Sequence, residues 1–434
     1  MRSLIVRTFI TNSGINAMGL LNSILLARWL GPSGRGEIAA AMLWPGLLIY
    51  LSSMGLIVAT TYFSSLANSR PRIVLNSAFW MGGILSGTAL PIGFVLMPWF
   101  LKSQNAEVIA ASRWYLIVIP ISLLTQFGLG VLQGRMRIAE LNWLRTIIPA
   151  GYFLGTIALL AFNRLSLNNI IALHLCLNVV VFMATLIVLR RIGVGLGVQT
   201  DFDLSKNMLS YGFKAHVGQI SGLANISLDQ VLMAAWLPPA YLGLYVVAVS
   251  SAGLSQMFAG AVQTVSMPSI AKGESHSERG ECLRVVFRKY WILSIFVLVA
   301  MGAVLPALIP FVFGTAFRSA ILAAEILLFA SLFKGATHVL GGGAAALGNP
   351  WLGSKANLSA LVITLVLLYL LLPALGIVGA AIATAAAYFV ELTVVIYGLH
   401  RTHSISPLSL FRLNLNDMIT ERRWMNLVTG GESL

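Results

Sequence analysis

The stretch Leu25-Leu26-Ala27-Arg28-Trp29-Leu30-Gly31-Pro32-Ser33-Gly34-Arg35-Gly36-Glu37 decides how the chain is read. It closes one long apolar run, at 8–30, and opens another, at 37–65. Gly-Pro-Ser-Gly is turn chemistry: glycine accepts a left-handed backbone and proline ends a helix or starts the next. Each flanking run meets the roughly 20 apolar residues that a helix needs to cross the hydrocarbon core. Two such runs on one short turn form a helical hairpin through a bilayer. The same punctuation returns at Asn68-Ser69-Arg70-Pro71, Pro238-Pro239 and Gly348-Asn349-Pro350. Further runs lie at 74–100, 107–133, 142–162, 167–189, 209–236, 240–268, 290–313, 319–346, 356–373 and 376–399. The expected fold is all-α and integral to the membrane, with about twelve transmembrane helices.

Composition demands the same solvent. Hydrophobic residues are 58% of the chain, charged residues 10%, and mean hydropathy is +0.87. A water-soluble domain carries about 25% charged residues, so lipid must cover most of this surface. The 28 Lys and Arg exceed the 14 Asp and Glu, for a net charge of +14. That excess sits in short breaks between apolar runs. With the N-terminus in the cytoplasm, Arg70, Arg72, Arg135, Arg137, Arg190, Arg191 and Arg401 fall on the inner side. The outer side keeps Arg28, Arg35, Lys102, Arg164 and Arg318. This is the positive-inside bias. It places both termini, including a polar tail at 401–434, in the cytoplasm. No polar domain carries a basic stripe for nucleic acid. The basic start, Arg2 and Arg7, runs into the first span without a cleavage site, so that segment is read as a retained helix. Cys176 and Cys282 offer neither metal spacing nor a disulfide framework. No metal or cofactor is expected.

The opening stretch also repeats. Trp29, Leu30, Pro32 and Gly36 recur at one constant offset as Trp236, Leu237, Pro239 and Gly243. Arg7 pairs with Lys214 and Asn22 with Asp229 at that same offset. The expected domains are therefore an N-terminal lobe at 1–200, a C-terminal lobe at 201–400 and the tail at 401–434. Two lobes of about six helices in the same orientation would be related by a pseudo-twofold along the membrane normal.

An ionisable side chain at the membrane centre costs about 2.5–3.5 kcal/mol by insertion scales and usually faces a cavity or a partner. Span seven gathers Lys214, Gly218, Gly222, Asn225 and Asp229 on one stripe. That stripe is either a cavity wall meeting an anion at Lys214 or a small-residue helix contact with Lys214 reaching the cytoplasmic edge. Span one lines up Thr8, Asn12, Asn16, Gly19 and Ser23, with Arg7 at its inner end and Arg28 at its outer end. Arg28 either draws a phosphate-bearing group outward or holds the turn against lipid headgroups. Lys334 lies near mid-span, where reaching an interface is difficult. His338, one turn on, is either a proton site or an ordinary hydrogen-bonding residue. Gln126 and Gln133 lie deep in span four, and Arg113 anchors its outer end. Asp229 and Glu391 either bind a coupling cation, H⁺ or Na⁺, or neutralise a nearby Lys or Arg.

The chain lacks a Walker-type phosphate loop, a Gly-x-Ser-x-Gly elbow and a His-Glu-x-x-His helix. No extramembrane stretch is long enough for a catalytic domain, so no enzyme is expected.

The stretch Ala27-Arg28-Trp29-Leu30-Gly31-Pro32 through Gly36 resembles the start of polysaccharide flippases. These are the Wzx-type O-antigen and exopolysaccharide translocases of the multidrug/oligosaccharidyl-lipid/polysaccharide exporter superfamily. Gln133-Gly134-Arg135-Met136-Arg137 and Leu347-Gly348-Asn349-Pro350 are similar to further familial loops. The resemblance covers about residues 1–400. It implies a MATE-like pair of lobes that moves an undecaprenyl-diphosphate-linked oligosaccharide across the bacterial inner membrane by alternating access. It also implies cations, here Arg7, Arg28, Lys214 and Lys334, to meet the diphosphate. Polar groups, here Asn12, Asn16, Asn225, Gln126 and His338, would meet the sugars. A polysaccharide polymerase would be the partner. Two transport alternatives remain: a cation-coupled drug or metabolite antiporter using Asp229 or Glu391, and a peptidoglycan-precursor flippase. The sign of the cavity separates the antiporter from the others. A membrane glycosyltransferase would need larger outer loops than this chain has.

Overall fold

The computed structural model describes residues 2–66, 68–197, 199–253, 255, 276–349 and 351–412, without the side chains of 2–6, 217–226, 276 and 277. Helix is the only regular secondary structure among them. The opening stretch lies inside α1 (Arg2–Ser52), which breaks at Gly31, where φ is 65° and ψ −174°. The helix resumes at Pro32, whose missing N–H costs nothing in a first turn. The two arms fold back on each other, because the Arg35 guanidinium reaches within 3.5 Å of Ser23 Oγ. Thus α1 holds the first two spans. The last long helix, α12 (Trp351–His403), repeats this at Gly376, with φ 55°. A Cβ on Gly379 would lie 2.2 Å from the Leu371 carbonyl oxygen. In a straight helix those residues would be about 12 Å apart, at 1.5 Å rise per residue.

Between these hairpins lie α2 (Leu56–Ser65), α3 (Pro71–Phe100), α4 (Ala106–Tyr115), α5 (Val118–Gly134), α6 (Ile138–Ala161) and α7 (Leu167–Arg191). Then come α8 (Phe202–Trp236), α9 (Pro239–Gly253), α10 (His276–Phe313), a 3₁₀ turn (Thr315–Ala320) and α11 (Ile321–Ala346). The helix starts are locally coded. The side chains of Asn105, Ser166 and Asp201 accept the first-turn N–H groups of α4, α7 and α8. Among the described residues seven helices are long and apolar enough to cross a bilayer, eight if α4 and α5 count as one bent span. Two of the seven, α1 and α12, hold two spans each, and α8 and α9 lie between α7 and α10. The protein is a multi-pass, all-α membrane protein with about twelve spans. Its outer surface suits lipid: Trp80, Val95, Trp99, Phe162, Phe311 and Tyr369 are all exposed.

Three expectations needed revision. The run 37–65 is broken at Gly55, with φ 71°. A Cβ there would lie 2.0 Å from the Gly212 carbonyl oxygen, so two backbones meet where a continuous helix was expected. The run 107–133 bends by 40° between α4 and α5. The gap between the runs 240–268 and 290–313 is helical from His276, continuous with α10. At the other end, α13 (Pro407–Phe411) extends the ordered fold past residue 400. Its Ser409 carbonyl accepts from Arg288 at 2.7 Å, and the Phe411 ring meets those of Phe287 and Trp291. Residues 413–434 lie outside the described set.

The chain divides into two compact units. Unit 1 is Met1–Ile220 with Gln230–Gly243, and unit 2 is Ser221–Asp229 with Leu244–Leu434. Within unit 1 the sequence repeat becomes a contact. A Cβ on Gly36 would lie 1.7 Å from the Pro239 carbonyl oxygen, and one on Gly243 would lie 1.9 Å from that of Pro32. Repeat-related residues thus touch each other reciprocally, as a local twofold requires. Unit 2 packs small residues face to face: Ala330, Ala336 and Ala344 of α11 and Ala380, Ala383 and Ala387 of α12 are all buried.

Candidate functional site

In unit 2 the second arm of α12 carries Thr384, Tyr388 and Glu391, which the helical period places on one face. Lys334 of α11 sets its Nζ 2.9 Å from both Glu391 carboxylate oxygens. Lys334 is 6% exposed and Glu391 2%. The Lys334 ammonium also stands 5.0 Å from the centre of the Tyr388 ring. Further along the face, Asp229 of α8 accepts a hydrogen bond from the Tyr245 hydroxyl and sits 3.5 Å from Thr384 Oγ1. Asp229 and Tyr245 are buried. The structure therefore brings Lys334, Glu391 and Asp229 into one enclosed polar seam. Within it Lys334 and Glu391 cancel, and Asp229 is held by hydroxyls. His338, one turn beyond Lys334, presents an exposed side chain.

Unit 1 holds a cavity of about 420 Å³ bounded by α1, α2, α5 and α6. Its polar lining is Thr8, Gln126, Gln133, Asn142 and Arg145. Asn142 donates to Thr8 Oγ1 at 3.0 Å, and Gln126 donates to Ser122 Oγ at 3.2 Å. Among the described residues the lining contains no carboxylate. Arg7, Asn12, Asn16, Arg28 and Lys214 are exposed on unit 1. Of the candidates on the stripe of span one, Thr8 reaches this cavity, while Asn12 and Asn16 do not line it. The side chain of Asn225 lies outside the described residues.

A second polar cluster in unit 1 was not anticipated. Arg35, assigned to the outer loop by its place beside Gly31, turns inward to Ser23. It neighbours Tyr152, which hydrogen-bonds Asn22. The Tyr152 ring packs edge-on against His174, whose Nδ1 is 2.6 Å from the Tyr115 hydroxyl and 3.1 Å from Asn178 Nδ2. The available signal was the pair His174 and Asn178, one turn apart in an otherwise apolar span. Asn142 was also missed, because it sits at the start of its span among loop-like polar residues.

Residues 5–274 match the family described as polysaccharide biosynthesis protein. A Haloferax volcanii protein named probable low-salt glycan biosynthesis flippase Agl15 is 24% identical over 395 residues, spanning 89% of this chain and 80% of that one. Among solved structures, the lipid II flippase MurJ in an inward closed conformation superposes with a TM-score of 0.72 at 14% identity, over 99% of this chain and 94% of that one. An inward-facing multidrug resistance MATE family transporter of the MOP superfamily superposes with a TM-score of 0.74 at 14% identity, over 91% and 98% of the two chains. At such identities the likeness shows the fold, which is MATE-like.

Proposed function

Because the chain belongs to the polysaccharide biosynthesis protein family, we propose that it flips a lipid-linked oligosaccharide, an undecaprenyl-diphosphate-linked repeat unit, from the cytoplasmic to the outer leaflet of the bacterial inner membrane. Such transport makes and breaks no covalent bond, so the protein acts as a transporter and not an enzyme. A diphosphate cannot enter hydrocarbon bare. It needs cations, Arg as a bidentate donor and Lys as a point charge. Sugars need groups that both donate and accept. The polyprenyl tail can stay in lipid throughout.

The sign of the accessible charge carries this choice over the antiporter. The two acids deep in the spans, Asp229 and Glu391, are buried against hydroxyls and against Lys334. By contrast Arg7, Arg145 and Lys214 are exposed, and among the described residues the unit 1 cavity has no acid in its lining. An anionic headgroup is served and an organic cation is not. We assign the headgroup to Arg7, Arg145 and Lys214. Lys334 then braces Glu391, and Asp229 is the group that titrates or binds a cation to couple transport. Both termini are cytoplasmic in this scheme. A polymerase working on the outer leaflet is the class of enzyme that would consume the product.

The test is a strain lacking the gene. Complete undecaprenyl-diphosphate repeats should accumulate and surface polymer should disappear, both restored by the wild-type gene. Normal surface polymer together with sensitivity to cationic drugs would replace this function with the antiporter.

A further inference from the structure

We propose that the unit 1 cavity is a saccharide subsite, which takes the sugar ring next to the phosphate and holds that phosphate at its Arg145 rim. The inference deepens the function above and rests on it. The volume, about 420 Å³, is far beyond the roughly 30 Å³ of one water and falls in the range of small-molecule sites, about 300–1,000 Å³. The chemistry of the lining selects the ligand. Thr8, Gln126, Gln133 and Asn142 each carry both a donor and an acceptor capacity. A ring of hydroxyls has the same dual character. A drug-like cation would want a carboxylate or an aromatic box, and the described lining has neither. A bare anion would want several cations, and the described lining has one, the exposed Arg145. Leu129 and Leu141 supply apolar wall for the C–H face of a sugar.

Asn142 is the second, independent sign. It is 6% exposed, and its amide nitrogen is committed to Thr8. Its carbonyl oxygen is buried and has no hydrogen-bond partner among the described residues. Buried acceptors are normally satisfied. A hydroxyl entering the cavity would satisfy this one. The position suits loading. Thr8 opens the first span, Gln133 closes α5 and Asn142 opens α6. All three ends are cytoplasmic under the proposed topology, the leaflet on which the glycan is built.

Two experiments in the gene-deleted strain test the subsite. First, Gln126→Leu and Asn142→Leu are expressed with wild-type protein as control, with membrane abundance and melting temperature measured alongside. The subsite predicts normal abundance for Gln126→Leu and a fall in flipping of at least about tenfold, as for a polar site deprived of its partner. Wild-type flipping by both variants overturns the subsite and leaves the flippase function intact. If deletion itself causes no build-up of lipid-linked glycan, the function fails first. Second, Leu129 is replaced by the photoreactive residue benzoylphenylalanine, so that the result does not depend on how well Asn142→Leu folds. Irradiated cells should yield an adduct with the mass of a glycan-bearing polyprenyl diphosphate. An adduct with phospholipid alone would make the cavity a lipid pocket and overturn the proposal.

Discussion

Gly36 and Gly243 occupy equivalent places in the sequence repeat and lie against each other in the fold, each facing the carbonyl of the proline that opens the other's helix. A methyl group on either would collide with backbone, which cannot swing aside as a side chain can. Gly36→Ala and Gly243→Ala should each lower stability by about 1–3 kcal/mol, the usual cost of overpacking. Because both break one contact, the double variant should lose less than the sum of the two. Thermal unfolding in detergent measures this, and full additivity would argue against a shared contact.

Lys334 and Glu391 form a buried pair whose members differ in consequence when removed singly or together. Lys334→Met or Glu391→Met leaves one charge enclosed, and a loss of about 3–5 kcal/mol is expected. The double variant leaves none and should regain most of that stability. If the pair only braces α11 against α12, the double variant also regains transport. Stable protein with dead transport would instead make Lys334 a substrate contact.

Asp229 is held by Tyr245 and Thr384, and the proposed coupling role gives Asp229 and Tyr245 different phenotypes. Tyr245→Phe removes the donor to a buried carboxylate and should cost about 1–3 kcal/mol. Asp229→Asn keeps the shape and removes the charge. Its transport should no longer respond when the Na⁺ or H⁺ gradient is collapsed. An unchanged response would move coupling to another group.

Arg145, Arg7 and Lys214 should show the signature of headgroup contacts. Neutral replacements, Arg145→Gln, Arg7→Gln and Lys214→Gln, are expected to leave stability within about 0.5 kcal/mol of wild type, as for exposed sites. Flipping should fall, and the fall should shrink at high salt, where screening already weakens the wild-type contact. Unchanged flipping by all three would remove the headgroup assignment.

The sequence exposed the parts of this fold that depend on solvent and on turns. Spans of about 20 apolar residues and the Gly31-Pro32 punctuation are local signals; the first hairpin reversal occurs at the marked Gly31, and the second, at Gly376, falls where the runs 356–373 and 376–399 meet. The repeat was legible as identity at Trp29 and Trp236, but the reciprocal contact of Gly36 with Gly243 needed coordinates. What stayed hidden depends on partners distant in sequence. The break at Gly55 is imposed by Gly212, and the inward turn of Arg35 by Ser23 and Tyr152. Depth within the spans marked Lys334 and Glu391, yet it left open whether an acid there would couple transport or neutralise a cation. The distance of 2.9 Å shows that Glu391 faces Lys334. The side chain of Asn225 lies outside the described residues and adds nothing to either side.

Translocation itself is most directly measured with the purified protein in liposomes that carry an undecaprenyl-diphosphate-linked oligosaccharide in both leaflets. A membrane-impermeant glycosidase added outside cleaves only what the outer leaflet displays. With active flippase cleavage should run past the outer-leaflet fraction towards completion, faster under an imposed ion gradient for wild-type protein and at a gradient-independent rate for Asp229→Asn. Cleavage that stops at the outer leaflet with wild-type protein, under Na⁺ and H⁺ gradients of either direction, would contradict lipid-linked glycan flipping as the function.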